Sequence, residues 1–156
     1  MCREGGKQIR ALLMAMMKGS AKMEDITLLE ELCEGILDGS YCSFGQGVSK
    51  LVLSGIQTFR EVFTAHVVRK RCDALVCKEY ITFHILGKCT GCGDCRNVCG
   101  EDAIEGKTGM IHVIDNELCI KCGKCQQICN EHAVVKASVV RPQVPVKPVS
   151  CGTWKR

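Results

Sequence analysis

Apolar residues along the first seventy positions recur at helical spacing. Arg10–Lys18 is rich in Leu, Met and Ala, all good helix formers, and Gly19-Ser20 stops the run. A second helix is predicted over Asp25–Asp38. Thr27 and Glu30 have capping-box spacing, Leu28, Leu29, Leu32, Cys33, Ile36 and Leu37 form one stripe, and Gly39 is a C-terminal stop. Cys33, on that stripe, is expected in the core. Ser40–Gly47 reads as a glycine-rich turn. A third helix is predicted over Val48–Arg69, with Leu51, Val52, Ile56, Phe59, Phe63 and Val67 on its apolar side. Three short amphipathic helices predict a small bundle, part of whose apolar surface another chain would cover.

The pattern changes at Arg69-Lys70-Arg71, where a boundary is placed. The expected division is a helical segment over 1–71, a cysteine-containing linker and strand over 72–87, a cysteine-rich module over 88–137, and a basic tail over 138–156. Tyr80–Leu86 alternates as a strand does. In the tail, Pro142, Pro145 and Pro148 recur every three residues among basic residues, which predicts extended, disordered chain. The fold class read from this is α+β, a helical bundle followed by a smaller mixed module.

Cysteine usage decides the chemistry. Fourteen of 156 residues are Cys, a density that means a secreted disulfide scaffold or a metal protein. Lys7 and Arg10 precede the apolar run Ala11–Met17, but Lys18 ends it at the short limit for a signal peptide. No stretch approaches the roughly 18 to 20 apolar residues of a membrane span. The expected location is the cytoplasm, where thiols stay reduced and bind metal. Basic and aromatic residues are not interleaved as in nucleic-acid binders.

Lys88–Ile104 reads KCTGCGDCRNVCGEDAI and Leu118–Val134 reads LCIKCGKCQQICNEHAV, one unit written twice at an offset of 30 residues. Three thiols within a single turn of chain cannot all find disulfide partners in good geometry. A zinc ribbon needs only C-x2-C pairs, not three close thiols and a fourth. The runs instead resemble those of bacterial two-cluster ferredoxins, in which the fourth Cys of each run ligates the other [4Fe–4S] cluster. Cys89, Cys92, Cys95 and Cys129 are the expected ligands of one cluster, and Cys119, Cys122, Cys125 and Cys99 those of the second. Gly91, Gly93 and Gly123 are expected to let the backbone bend close and aim N–H groups at sulfur. Two βαβ-like halves related by a pseudo-two-fold are predicted. Gly100 and Asn130 stand where such runs usually have Pro, and each adds a backbone donor beside a cluster. The formal charge of +4 falls near neutral with two clusters of about −2 each. The 88–136 module has six basic and seven acidic residues, so it becomes about −5 with clusters. That face suits docking to a basic partner.

Residues before the module extend the resemblance. Cys2-Arg3-Glu4-Gly5, Ser40-Tyr41-Cys42-Ser43, Phe59-Arg60-Glu61-Val62-Phe63-Thr64-Ala65-His66 and Cys72-x4-Cys77-Lys78 occur in that order. They are similar to motifs in the C-terminal part of the NADH-oxidising flavoprotein subunits of complex I and of NAD(P)-dependent and electron-bifurcating hydrogenases. The resemblance covers about residues 2–137. It implies electron transfer as a relay module beside redox partner subunits, an NADH-oxidising flavoprotein or a hydrogenase, or ferredoxin. The family's upstream NADH and FMN site has no counterpart here, so the chain is not expected to be catalytic alone. Cys2 and Cys42 are then orphan ligands of a helical-domain cluster, and the chain is a fragment or a separately encoded relay subunit. A free ferredoxin-like carrier and a non-redox assembly subunit are the alternatives; the 70-residue helical segment argues against the first.

His66, Cys72 and Cys77 have two readings. A helix-end His followed by C-x4-C is compatible with a tetrahedral zinc site that clamps the linker. Otherwise they are a helix end and two spare thiols. His84 and His112 are expected at the surface of strand-like segments, and Cys151 as a free thiol in the tail.

Overall fold

A computed structural model describes residues 2–154, so Met1 and the last two basic residues of the tail, Lys155 and Arg156, lie outside it. The chain divides after Tyr80 into two compact units.

The first unit has four helices: α1 (Cys2–Lys18), α2 (Met23–Gly39), α3 (Ser43–Thr58) and α4 (Arg60–Val68). Ile26, Leu29, Cys33 and Ile36 face inward from α2 at helical spacing. They meet Ile9 and Met16 of α1, Ile56 of α3 and Val67 of α4 in one core. Leu29, Cys33 and Ile56 are fully buried, and a buried Leu or Ile contributes roughly 1.5–3 kcal/mol. Leu28 lies outside this face and is half exposed. The start of α2 is closed by Asp25, whose carboxylate accepts the Lys22 N–H at 2.7 Å. The Thr27–Glu30 pair does not cap it, and Glu30 instead pairs with Arg60.

Two helices replace the one expected over 48–69. The break falls at Phe59 (φ −118°, ψ 33°), which closes α3 and opens α4 and is itself exposed, as is Leu51. The predicted Ser40–Gly47 turn is also shorter. α3 starts at Ser43, and Gly45 lies inside it because an added Cβ would collide with Cys2 of α1. Its glycine serves close helix approach. Residues 70–80, expected as boundary and linker, pack into this unit. Lys70 Nζ donates to the carbonyls of Gly19 (2.6 Å) and Ala21 (3.1 Å), and the Tyr80 hydroxyl donates to Met16 O at 2.6 Å.

The second unit contains β1 (Thr82–Ile85), α5 (Asp94–Asn97), β2 (Ile104–Glu105), β3 (Met110–Ile111), β4 (Val113–Ile114), α6 (Lys124–Ile128), β5 (Val134–Ala137) and β6 (Val149–Ser150). All strand pairs are antiparallel: β1 with β5, β2 with β4, and β3 with β6. The halves therefore do not form parallel βαβ units. Ile85 opposite Val134 and Ile104 opposite Ile114 stitch each half to the other. Phe83, Ala103, Ile111 and Ala133 fill the interior, and the Asn116 amide both accepts from Phe83 N–H and donates to Phe83 O.

The internal repeat is visible in the backbone. Left-handed residues occur in pairs 30 positions apart: Gly91 with Lys121, Gly93 with Gly123, and Asp102 with His132. Gly93 and Gly123 stand immediately before α5 and α6.

Two further expectations are overturned. The described part of the tail is not disordered. Pro145 is fully buried, Val149–Ser150 pairs with β3, Cys151 N–H donates to Gly109 O, and the Trp154 ring lies over Gly87. Proline spacing predisposes a segment to extended chain, and the proline-free stretch 149–151 still has N–H groups for a ladder. His112 is not at the surface but 1% exposed. His84 is half-buried, with Nε2 2.8 Å from Thr82 Oγ1.

Gly91 tests the geometry of the first loop. It has φ +72°, and an added Cβ would lie 2.6 Å from Met110 N and 2.8 Å from Gly109 C. Gly100 has open space around it. Gly91→Ala is expected to destabilise the protein by about 1–3 kcal/mol or more from backbone strain alone, whereas Gly100→Ala should be close to silent. Denaturant midpoints of the two anaerobically reconstituted variants check this.

Candidate metal centres

Two cavities in the second unit are lined by cysteine. Cys89, Cys92, Cys95 and Cys129 surround the first, together with Ile85, Thr90, His112, Ala133 and Val134. Cys119, Cys122, Cys125 and Cys99 surround the second, together with Ile120, Ala103, Ile104 and Ile114. Each cavity thus draws three thiols from one run and the fourth from the other. The two measure about 90 and 170 Å³, below the roughly 300–1,000 Å³ of sites for drug-sized organic ligands. Such spaces suit a compact inorganic core.

The donor chemistry fits that core. Cys95 and Cys125 are buried, and each thiol is pushed up to about 11. Burial is the main cause, followed by charge on neighbouring cysteines, Cys89 for Cys95 and Cys119 for Cys125. Four thiolates around one such space repel each other, and only a bound cation relieves them. Backbone donors stand ready at sulfur: Gly91 N–H to Cys89 Sγ (3.4 Å), Lys121 N–H to Cys119 Sγ (3.4 Å) and Ala133 N–H to Cys129 Sγ (3.3 Å). The first two are equivalent through the repeat. Gly100 and Asn130 are exposed and line one cavity each. When bound, an iron–sulfur cluster supplies reversible one-electron chemistry; the chain supplies thiolates, N–H dipoles and exclusion of water.

A third centre lies in the first unit. His66 Nε2, Cys72 Sγ and Cys77 Sγ all fall within 4.8 Å of one another, close enough for one ion. It is the one such group among the described residues, so the eight cavity cysteines are spread wider than a single ion requires. His66 Nδ1–H donates to Val62 O at 2.9 Å, which turns Nε2 toward Cys77 Sγ at 3.6 Å. That second bond is what fixes the tautomer of metal-binding imidazoles. Tyr80 packs edge-on against the ring with centroids 5.4 Å apart. Burial opposes ionisation of Cys72, but the N–H groups of Cys77 and Val76 and the His66 ring outweigh it and bring this thiol down to about 7. Cys77 is pushed up to about 11 by burial and by sharing its proton and field with Cys72. One ligand is therefore more easily ionised than an ordinary thiol.

Cys2 and Cys42 also meet. Cys42 immediately precedes α3, and the N–H groups of Gly45 and Phe44, with the Cys2 thiol, lower its pKa. His112, which sequence motifs did not single out as a site residue, lines the first cavity. It belongs to neither cysteine run, and only its position in space reveals it.

Residues 1–66 match the NADH-ubiquinone oxidoreductase-F iron-sulfur binding region, and residues 88–134 match the 4Fe-4S dicluster domain. Both matched regions are of iron–sulfur-binding type, the second of the [4Fe–4S] dicluster kind. Over part of their length the chain is homologous to the F-type subunits of NADH-quinone oxidoreductase and to a subunit of an NADP-reducing hydrogenase. It is 38% identical over 112 residues to the HndC subunit of the NADP-reducing hydrogenase of Solidesulfovibrio fructosivorans, covering 71% of this chain and 23% of that protein. It is 32% identical over 71 residues to an F-type subunit of the NADH-quinone oxidoreductase of Rhizobium meliloti, covering 46% of this chain and 17% of that one. The chain thus spans less than a quarter of the length of these relatives. No helix among the described residues is long and apolar enough to cross a membrane.

Proposed function

We propose that this chain is an electron relay within an NAD(P)H dehydrogenase- or hydrogenase-type complex. A helical bundle joined to a two-cluster ferredoxin-like domain is the architecture of that module. Two [4Fe–4S] clusters carry the electrons, one on Cys89, Cys92, Cys95 and Cys129, the other on Cys119, Cys122, Cys125 and Cys99. The observation that carries this reading is the crossed lining of the two cavities. Crossed ligation brings both clusters into one small unit, and electron transfer needs such closeness. The relatives are named as subunits of an NADP-reducing hydrogenase and of NADH-quinone oxidoreductase, which supports redox partner subunits; the partner proposed is an NAD(P)H-oxidising flavoprotein, a hydrogenase subunit or ferredoxin. Cys2 and Cys42 are a pair of ligands whose remaining partners come from elsewhere. The cytoplasm is the compartment proposed, because these thiols must stay reduced to bind iron.

Crossing is tested by Cys129→Ser. It should damage the cluster that also uses Cys89, Cys92 and Cys95 and spare the one on Cys119, Cys122 and Cys125. Electron paramagnetic resonance after single-residue replacement in each run reads this, and loss of the second cluster instead would contradict it.

Zinc is the proposed ion at His66, Cys72 and Cys77, with a fourth ligand from solvent or another residue. It would tie the Cys72–Cys77 segment to the end of α4 without redox activity. About one zinc per chain should co-purify anaerobically, as expected for one tetrahedral site. His66→Ala should lower that content while both clusters remain. Protein with full clusters and no zinc would leave these residues as a helix end and two thiols.

A further inference from the structure

The repeat maps the two cysteine-lined cavities onto each other almost residue for residue. Thr90 corresponds to Ile120, Asp94 to Lys124 and Val134 to Ile104, each at an offset of 30. One polar residue has no counterpart. His112 lines only the first cavity, and the position 30 residues on, Pro142, lines neither.

His112 is held there by the fold. Its side chain is 1% exposed, and among the described residues Nδ1 has no hydrogen-bond partner. Gly106 (φ +143°) lies against the Cγ–Cδ2 side of the ring; an added Cβ would come within 2.7 Å of Cδ2. Burial first and then the Arg96 charge favour the neutral ring; the Met110 carbonyl near the ring opposes them, but it makes no hydrogen bond to Nδ1. A buried ring nitrogen without a partner is costly, and sulfur atoms of an anionic cluster are acceptors for an N–H.

We propose that His112 donates an imidazole N–H hydrogen bond through Nδ1 to a sulfur of the cluster held by Cys89, Cys92, Cys95 and Cys129, and so raises its reduction potential. The inference rests on the two-cluster reading. A donor at sulfur stabilises the reduced cluster, which carries one more negative charge. The second cavity has apolar side chains, Ile120, Ile114 and Val98, around its cysteines and no buried side-chain donor, since its Lys124 is exposed. Asp94 and Lys124 also differ between the cavities, but both are exposed and screened by water. The test therefore compares variants at one cluster rather than one cluster with the other.

The experiment uses the full chain, reconstituted anaerobically, with iron content measured first. His112→Leu removes the donor at similar bulk, and His112→Asn keeps an N–H near the Nδ1 position. In redox titrations followed by electron paramagnetic resonance, His112→Leu should lower the reduction equilibrium constant of one cluster about tenfold, about 59 mV for one electron. The other cluster should not move, and His112→Asn should stay near wild type. Wild-type protein with nitrogen-15-labelled histidine gives a readout that needs no variant to fold. Electron–nuclear double resonance of its reduced clusters should show coupling to one histidine nitrogen. Full iron loading with unmoved potentials, equal shifts of both clusters, or no histidine coupling would overturn this inference alone. Wild-type protein with no cluster on Cys89, Cys92, Cys95 and Cys129 would overturn the two-cluster reading and this inference with it.

Discussion

Crowding of eight thiols, Cys95 and Cys125 among them buried, around two small cavities is the constraint on which the second unit depends. Cys95 and Cys125 sit in low-dielectric surroundings beside other cysteines, and their thiols resist ionisation there. Such an arrangement is unfavourable for a bare chain and favourable around a cationic core. The rest of the unit makes sense as the frame that imposes it. Left-handed Gly91, Gly93 and Gly123 bend the loops, the short helices α5 and α6 set their cysteines, and the β1–β5 and β2–β4 pairs lock each half against the other. Exchange of the fourth cysteine between runs means that neither cavity is complete without both halves.

The first unit meets a lighter version of the same constraint. The three groups proposed to hold a single ion there, His66, Cys72 and Cys77, come from within twelve residues of chain. The end of α4 fixes His66 through Val62 O, and the turn from Cys72 to Cys77 brings both thiols to its Nε2. Tyr80 and Lys70 anchor the surrounding segment to α1 and the loop after it through backbone carbonyls. Packing, rather than linker flexibility, therefore sets the shape of residues 70–80.

What was legible in the sequence followed from how local each signal is. The cysteines of the two runs repeat at fixed short spacing, so the two sets that line the cavities could be written down before any fold was known. The helices also showed themselves, because the inward face of α2 recurs along one segment. Less was visible where meaning depends on distant chain. Gly45 looked like a turn residue, yet its role is contact with Cys2, forty-three residues earlier. The prolines of the tail looked like disorder, yet Pro145 is buried and Val149–Ser150 completes a ladder with β3. His112 stands between the runs with no motif around it, and only the closing of the halves carries it to the first cavity. The break at Phe59 has no sequence signal that we can name.

Native mass spectrometry of the anaerobically reconstituted chain tests the central claim most directly, because it weighs the intact inorganic cores. The account predicts a dominant species carrying two Fe4S4 units, eight irons and eight sulfides by the ligand pattern of two complete four-cysteine sets. A chain that takes up only single metal ions at these cysteines, or no more than one cubane, would contradict it.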